Sequence, residues 1–345
     1  MPSQFHIEPG SERGHAVALF SGGLDSTLAI LLLLKQNIKV TAITFMTHFG
    51  CDLSDRSACG SNPYPMAEKF GFEVKLLHLG QKFVDIVRNP RFGRGKNMNV
   101  CTDCRILMLS EAAEFMEMTH ADFLVTGEVL GQRPMSQVKD KLNLTLNQTG
   151  LKGRVLRPLS ARLLAPTEPE LSGMVDRQQL EGIAGRGRKR QMELAREFGV
   201  ESYPSPASGC LLTDPGYSRR LKDLMDHEEL TRFSDLNLLR LGRHFRLDDK
   251  TKAVVGRHAE DNERLLATID DGHIVLEAED VGSPITIVTG DANEENIRKA
   301  AMLTARYSSA RHETEVEVTV TGGGTTRKIA VPPRSADDID ATPVY

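Results

Sequence analysis

Ser21-Gly22-Gly23-Leu24-Asp25-Ser26 stands between an apolar run at 16–20 (AVALF) and a helix-forming run at 27–35 (TLAILLLLK). The first run predicts a buried strand and the second an amphipathic helix that contributes to the core. A loop of two glycines and two serines at that junction turns several backbone N–H groups into one small volume. It lies at the positive end of the helix dipole, which makes it a place for phosphate. Gly22 and Gly23 let the backbone approach an anion with no Cβ in the way, and Ser21 and Ser26 add hydroxyl donors. Asp25 is out of keeping with an anion site unless it faces a metal ion or caps the helix. A Mg²⁺ ion bridging its carboxylate and the phosphates resolves the conflict.

Working outward, strands and helices alternate. Residues 39–45 (KVTAITF) predict a strand, 62–71 a helix, 72–79 a strand and 81–88 a helix. A glycine-rich basic loop, 91–99 (RFGRGKNMN), precedes a helix at 103–118, and strand 122–126 opens into the loop 127–132. This order predicts an α/β fold with a doubly wound parallel sheet, its functional loops at the carboxyl ends of the strands. Ser21, Cys101 and Gly127 fall on such loops or beside them. From 143 to 190 the pattern weakens to a helix, Arg157-Pro158-Leu159-Ser160, proline-rich turns and a helix beginning near Asp176. The basic run 185–190 (GRGRKR) leads into helix 191–198, and the proline-rich stretch 203–210 ends at Cys210.

From Tyr217 the character changes. Helices at 218–227, 261–268 and 294–306 mix with short strands at 245–247, 252–256, 274–277 and 285–289 and a last hairpin of 314–321 with 328–331. The expected organisation is a flexible N-terminus at 1–15, a phosphate-binding α/β domain at 16–215, a smaller α+β domain at 217–333 and a disordered tail at 334–345.

Composition narrows the class. The 345 residues carry 40% apolar and 26% charged residues and a formal net charge of −4, ordinary for a globular protein and too acidic for indiscriminate nucleic-acid binding. No apolar run is long enough to span a bilayer and the first residues lack the apolar centre of a signal peptide, so the expectation is no membrane and a cytoplasmic location. Five cysteines, an odd number, do not suit a secreted disulfide framework. Cys101 and Cys104 form a CxxC at a helix start, where the dipole lowers thiol pKa, and Cys210 follows about a hundred residues on. Three thiolates suit a 4Fe-4S cluster with one iron open to sulfide or substrate. Zinc requires a fourth ligand, for which His120, Cys51 and Cys59 are the candidates.

The hexapeptide resembles the PP-loop, SGG-x-DS, of ATP pyrophosphatases that adenylylate a carbonyl or carboxyl oxygen; it lacks the Gly-Lys-Ser/Thr ending of a Walker loop. With it stand CxxC-R (101–105), T-G-E-x-L-G-Q-x-x-x-Q (126–137) and G-C-L-L-T-D-P (209–215). Together they resemble the sulfur-inserting tRNA enzymes, in particular the adenylylation domain of 4-thiouridine synthases and their 2-thiouridylase relatives, over about 16–215. The resemblance implies an adenine nucleotide alpha hydrolase-like fold and an ATP-dependent tRNA sulfurtransferase. ATP activates a uridine carbonyl oxygen, and sulfur then displaces AMP. Ser21, Gly22, Gly23 and Ser26 would hold pyrophosphate, with Asp25 facing Mg²⁺ and Gly127 and Gln132 shaping the crevice. Gln132 could instead cap the next helix, and Glu128 is either a solvent-facing acid or a metal or substrate ligand. Cys101, Cys104 and Cys210 would handle sulfur from an external donor, on a 4Fe-4S cluster or as a persulfide and disulfide. Other readings are a PP-loop amidation or nitrile-forming enzyme, or an RNA-binding protein with a regulatory nucleotide site.

Segments 239–245, 255–263 and 304–308 resemble an NFACT-type RNA-binding domain. That resemblance brings tRNA contacts to Arg243, Arg257 and Arg306, with Arg240, Lys299 and Arg311 as further phosphate partners and Tyr307 and His258 as stacking faces. Arg186, Arg188, Lys189 and Arg190 either guide tRNA into the crevice or solvate a loop.

Overall fold

The apolar runs read above become the central strands of a parallel sheet. The computed structural model describes residues 10–50, 62–133, 136–203, 210–229 and 231–345. The chain divides into two units, Met1–Leu212 and Thr213–Tyr345.

The first unit runs β1 (Gly14–Leu19), α1 (Leu24–Leu34), β2 (Ile38–Met46), α2 (Tyr64–Phe70), β3 (Glu73–His78), α3 (Gly80–Arg88), α4 (Cys101–Met118), β4 (Phe123–Thr126), α5 (Lys139–Thr149), β5 (Val155–Leu156), α6 (Glu168–Leu171) and α7 (Lys189–Glu197). Its strands are parallel in the order β3-β2-β1-β4-β5, registered as Ala18 with Ala42 on one side and Ala18 with Val125 on the other. The two central neighbours are buried on both faces and read as continuous apolar runs, as parallel strands do. The chain winds outward from β1 through β2 to β3, then restarts at β4. The direction of winding switches between β1 and β4, and the SGGLDS loop sits at that switch.

Helix α1 departs from expectation. Ten of its eleven residues are buried, so it is apolar all round rather than amphipathic. Leu194, Ala195 and Phe198, from α7 and the residue that caps it, join the α1 leucines in one core, covering the face that would otherwise be wet. The helix expected from Asp176 is a single 3₁₀ turn, Arg177–Gln179. Asp176 Oδ1 accepts the Gln178 N–H at 2.9 Å, and the turn stops because buried Leu180 adopts extended backbone. Strand β5 is two residues long, too short to leave a periodicity.

The second unit runs α8 (Pro215–His227), α9 (Phe233–Leu238), β6 (Arg243–Arg246), β7 (Thr251–Val255), α10 (Ala259–Leu266), β8 (Ile274–Ala278), β9 (Thr286–Gly290), α11 (Glu294–Tyr307), β10 (Val316–Gly322), β11 (Thr325–Val331) and β12 (Thr342–Pro343). Its antiparallel sheet has the order β11-β10-β8-β9-β7-β6-β12. Alternation sorts the two faces: Ala253 and Val255 pack with Ala300, Ala301 and Leu303 of α11, while Val254 packs with Leu238, Leu241 and Leu265. The tail expected to be loose is part of this sheet. Thr342 and Pro343 pair with Arg246 and Phe245, and Ile339 and Ala341 are buried in the α11-side core. Two small apolar anchors among polar residues carry no period, so only the fold reveals them. Among the described residues no helix is long and apolar enough to cross a membrane.

Candidate functional site

At the switch point the chain leaves β1 and enters α1 through a loop closed on itself. Gly22 has φ +70°, a conformation that favours glycine, and Gly23 is extended as the N-cap of α1. The Ser26 hydroxyl donates to Gly23 O at 2.9 Å and lies 3.2 Å from the Ser21 hydroxyl. Thr27 bonds the same carbonyl through its N–H and its hydroxyl, both at 3.1 Å. These bonds fix the loop while the first-turn N–H groups of α1 have no carbonyl inside the helix to serve, which leaves them for an anion.

Asp25 occupies the first turn of α1. Gln132 Nε2 donates to its Oδ2 at 3.0 Å, whereas Oδ1 is buried with no hydrogen-bond partner. An anchored carboxylate with one orphaned oxygen, beside an anion cradle, fits a divalent cation. Gln132 therefore orients Asp25; the cap of α5 is Val138.

The loop after β4 lies directly on this cradle. A Cβ at Gly127 would stand 2.5 Å from Ser26 N and 2.7 Å from the Asp25 carbonyl carbon, so only glycine lets the two backbones meet. Glu128 is neither solvent-facing nor open to a ligand. It is 3% exposed, and its Oε2 accepts from Arg157 Nε at 3.0 Å and from the Thr126 hydroxyl at 3.1 Å. Arg105 Nε lies 3.2 Å from Oε1, a charge contact outside hydrogen-bonding direction. Burial pushes the Glu128 carboxyl up, but Arg105 and Arg157 outweigh it and hold the group below the usual carboxylate range. Sequence reading missed Arg157; its one local signal was its place just beyond β5. Arg105 stood in the CxxC-R motif without a role.

Arg105 leads to the thiols. Cys101 is the first residue of α4, and Cys104 and Arg105 lie one turn on, on the same side of the helix. Cys101 is exposed, Cys104 and Cys210 are half-buried, and none is in a disulfide. Asp103, between the two thiols in sequence, turns inward and accepts the N–H groups of Arg91 at 3.0 Å and Phe92 at 3.2 Å, fixing the basic loop. Cys210 Sγ donates to Phe49 O at 3.5 Å, beyond the carboxyl end of β2. Two residues later Leu212 O accepts from Met98 N at 3.1 Å, three residues before Cys101. The fold thus returns Cys210 to the approach of α4. Among the described residues, no three His, Cys, Asp or Glu side chains converge on a single metal ion. His120 cannot share a metal with Cys101: it follows the far end of α4, 18 residues long, ~27 Å away at helical rise. Cys51 and Cys59 lie outside the described residues.

The basic run is pinned beside the same loop, with Gly185 N donating to Leu130 O at 2.7 Å. Arg190 is taken by Glu181 and Glu197, both at 2.7 Å, while Arg186 is exposed and Arg188 Nε is buried without a partner. In the second unit the Arg243 guanidinium lies over the Tyr307 ring at 4.8 Å, and Tyr307 is 41% exposed. Arg306 is exposed at the last turn of α11. Arg257 is paired bidentately with Asp261, and the His258 ring accepts the Asp261 N–H as the cap of α10. Its partner leaves Arg257 less net charge to offer a phosphate.

Comparison with known proteins agrees with this division. Residues 11–162 match the family model described as thiamine biosynthesis protein (ThiI), and residues 242–342 match that of the NFACT protein RNA binding domain. A probable tRNA sulfurtransferase of Methanosarcina acetivorans is 29% identical over 36% of this chain and 30% of its own length. One of Thermococcus kodakarensis is 26% identical over 44% of this chain and 38% of its own. The tRNA-specific 2-thiouridylase of Chlorobaculum tepidum is 26% identical over 54% of this chain and 49% of its own. The chain thus spans between about a third and a half of the length of these relatives. Its N-terminal part is thus similar to the ThiI family and its C-terminal part to the NFACT-type RNA-binding domain.

Proposed function

We propose that the protein is an ATP-dependent tRNA sulfurtransferase that makes a thiouridine. One observation carries the reading: an anion cradle with an orphaned carboxylate oxygen and a helix starting at a CxxC are linked by one ion cluster, buried Glu128 and Arg157 with half-buried Arg105. Activation and sulfur delivery both find their groups at the carboxyl edge of one sheet. The names of the three relatives, all tRNA-thiolating proteins, support the same chemistry.

In this reading Ser21, Gly22, Gly23 and Ser26 hold the β,γ-phosphates of ATP. Asp25, oriented by Gln132, holds Mg²⁺, which when bound neutralises the charge that develops on the leaving pyrophosphate. The uridine carbonyl oxygen attacks the α-phosphorus and pyrophosphate departs. That oxygen is now an AMP leaving group, so a sulfur nucleophile can attack the ring carbon and expel AMP. Cys101, Cys104 and Cys210 handle that sulfur. In the persulfide route the terminal sulfur of a cysteine persulfide, loaded by an external donor, forms the C–S bond. A second cysteine thiolate then attacks the inner sulfur, which leaves a disulfide on the protein and the sulfur on the uridine. A 4Fe-4S cluster on the same three cysteines is the other route, supported by ligand count. Anaerobic purification followed by iron and acid-labile sulfide analysis separates them: a stoichiometric cluster selects it, and none selects the persulfide. Arg186 and Arg188 beside the crevice, and Arg243 with Tyr307 and Arg306 in the second unit, are proposed to hold the tRNA.

The test uses the full chain with ATP, Mg²⁺, tRNA and sulfide or a persulfide donor. Asp25→Ala is expected to lower pyrophosphate release by at least about a hundred-fold, the scale on which electrostatic stabilisation of a transition state acts. Cys210→Ala is expected to keep pyrophosphate release and lose thiolated nucleoside. Equal loss of both steps in the Cys210 variant makes that cysteine structural. Release with no thiolated nucleoside under any donor favours amidation or nitrile formation.

A further inference from the structure

We propose that Glu128 is a positioning residue that couples nucleotide binding to the reactivity of the α4 thiols, acting through Arg105. The inference rests on the nucleotide reading of the SGGLDS loop and goes beyond it. Gly127 touches the backbone of Asp25 and Ser26 with no side chain between, so a displacement of the cradle on taking phosphate is passed to the 126–128 backbone. The next residue is wholly enclosed. Its carboxylate is held by Arg157 from the end of β5 and by the Thr126 hydroxyl, which leaves it no freedom to absorb such a shift alone.

Its remaining oxygen meets Arg105, and there the arrangement is loose. The distance is 3.2 Å, the direction is off the hydrogen-bond axis, and the Arg105 side chain is 28% exposed against 4% for Arg157. One arginine is a fixed post and the other a movable arm. The arm is one residue from Cys104 and one helical turn from Cys101, on the same side of α4. A small movement of Glu128 toward or away from alignment changes how firmly the first turn of α4 is held and where its thiols point. Glu128 touches no reacting atom in this scheme. Its function is to make the thiol helix sense whether the cradle is filled.

The experiment reads alkylation rates of Cys101 and Cys104 in the full chain by peptide mass spectrometry, with and without ATP and Mg²⁺, alongside calorimetric ATP binding. In the unmodified protein ATP with Mg²⁺ is expected to change at least one rate by about three-fold or more, the range over which single residues modulate coupling. Arg105→Leu, which leaves the Glu128–Arg157 pair intact, is expected to bind ATP and lose that change. Glu128→Gln is expected to do the same, and Arg105→Lys to restore part of it, which mere fold stabilisation does not predict. A nucleotide-dependent change that persists in Arg105→Leu overturns the proposal, since the nucleotide then shields the thiols directly. So does an unmodified protein that binds ATP with no change in either rate. An unmodified protein that binds no ATP removes the nucleotide reading itself, and the coupling with it.

Discussion

Gly127 shows how much of a site can rest on an atom that is missing. Its neighbour across the gap is backbone, which cannot rotate away, so Gly127→Ala forces the β4 loop and the phosphate cradle apart. The strain is expected to cost about 1–3 kcal/mol of stability, as overpacking does, and to weaken ATP binding more than any loop-tip substitution in 91–99. Thermal unfolding and calorimetry on the same sample check both. The residues of the cradle were legible in the sequence because their chemistry is local: six consecutive residues supply the glycines, hydroxyls and carboxylate. Glu128 was not, because its burial depends on Arg157, 29 residues away, and on Arg105, supplied by α4.

At the scale of elements, the second unit contains a charge cluster that no motif announces. Arg246 and Lys252 are cross-strand partners on β6 and β7, and both reach Asp223 of α8, at 2.7 Å and 3.0 Å. Burial, with Arg246 and Arg220 adding to it, lowers the Lys252 pKa to about 8 although Asp223 pulls the other way. The folded state therefore releases this proton near pH 8, while the unfolded chain holds it to about 10.4. Between those values the unfolded state binds more protons, so stability is expected to rise with pH. Urea midpoints across that window should show the rise, and Lys252→Met should flatten it; an unchanged slope in the variant assigns the effect elsewhere. Helices α4 and α11 were readable to within two residues at each end, because their length and helical periodicity marked them. The character of α1 was not, since only α7, more than 150 residues on, decides that it has no wet face.

For the whole molecule, the proposed reading of one unit as nucleotide-binding and the other as RNA-binding predicts two separable kinds of defect. Arg243, stacked on Tyr307 and bonded only to the Gly256 carbonyl at 3.2 Å, keeps a charge that no carboxylate offsets among the described residues. Arg243→Ala in the full chain is expected to weaken tRNA binding and to make its salt dependence shallower by about 0.7–0.9 in log–log slope for each phosphate that is no longer neutralised. Arg257→Ala, whose charge Asp261 already meets, should change that slope less. Filter-binding titrations over a range of salt concentrations compare the two; equal slopes for both variants and the unmodified protein place the RNA surface elsewhere.

The enclosed first helix has a mechanical consequence. With sheet on one side and α7 on the other, α1 cannot roll or slide without disturbing two packed layers, and packed layers resist such shear. The anion cradle at its tip is thus seated on a fixed support, so any adjustment to an anion falls on the loop backbone and on Gly127, which touches it. Exposed Cys101 and the half-buried Cys104 and Cys210 have no comparable enclosure, so in the proposed reaction the larger movement is expected of the sulfur-bearing parts.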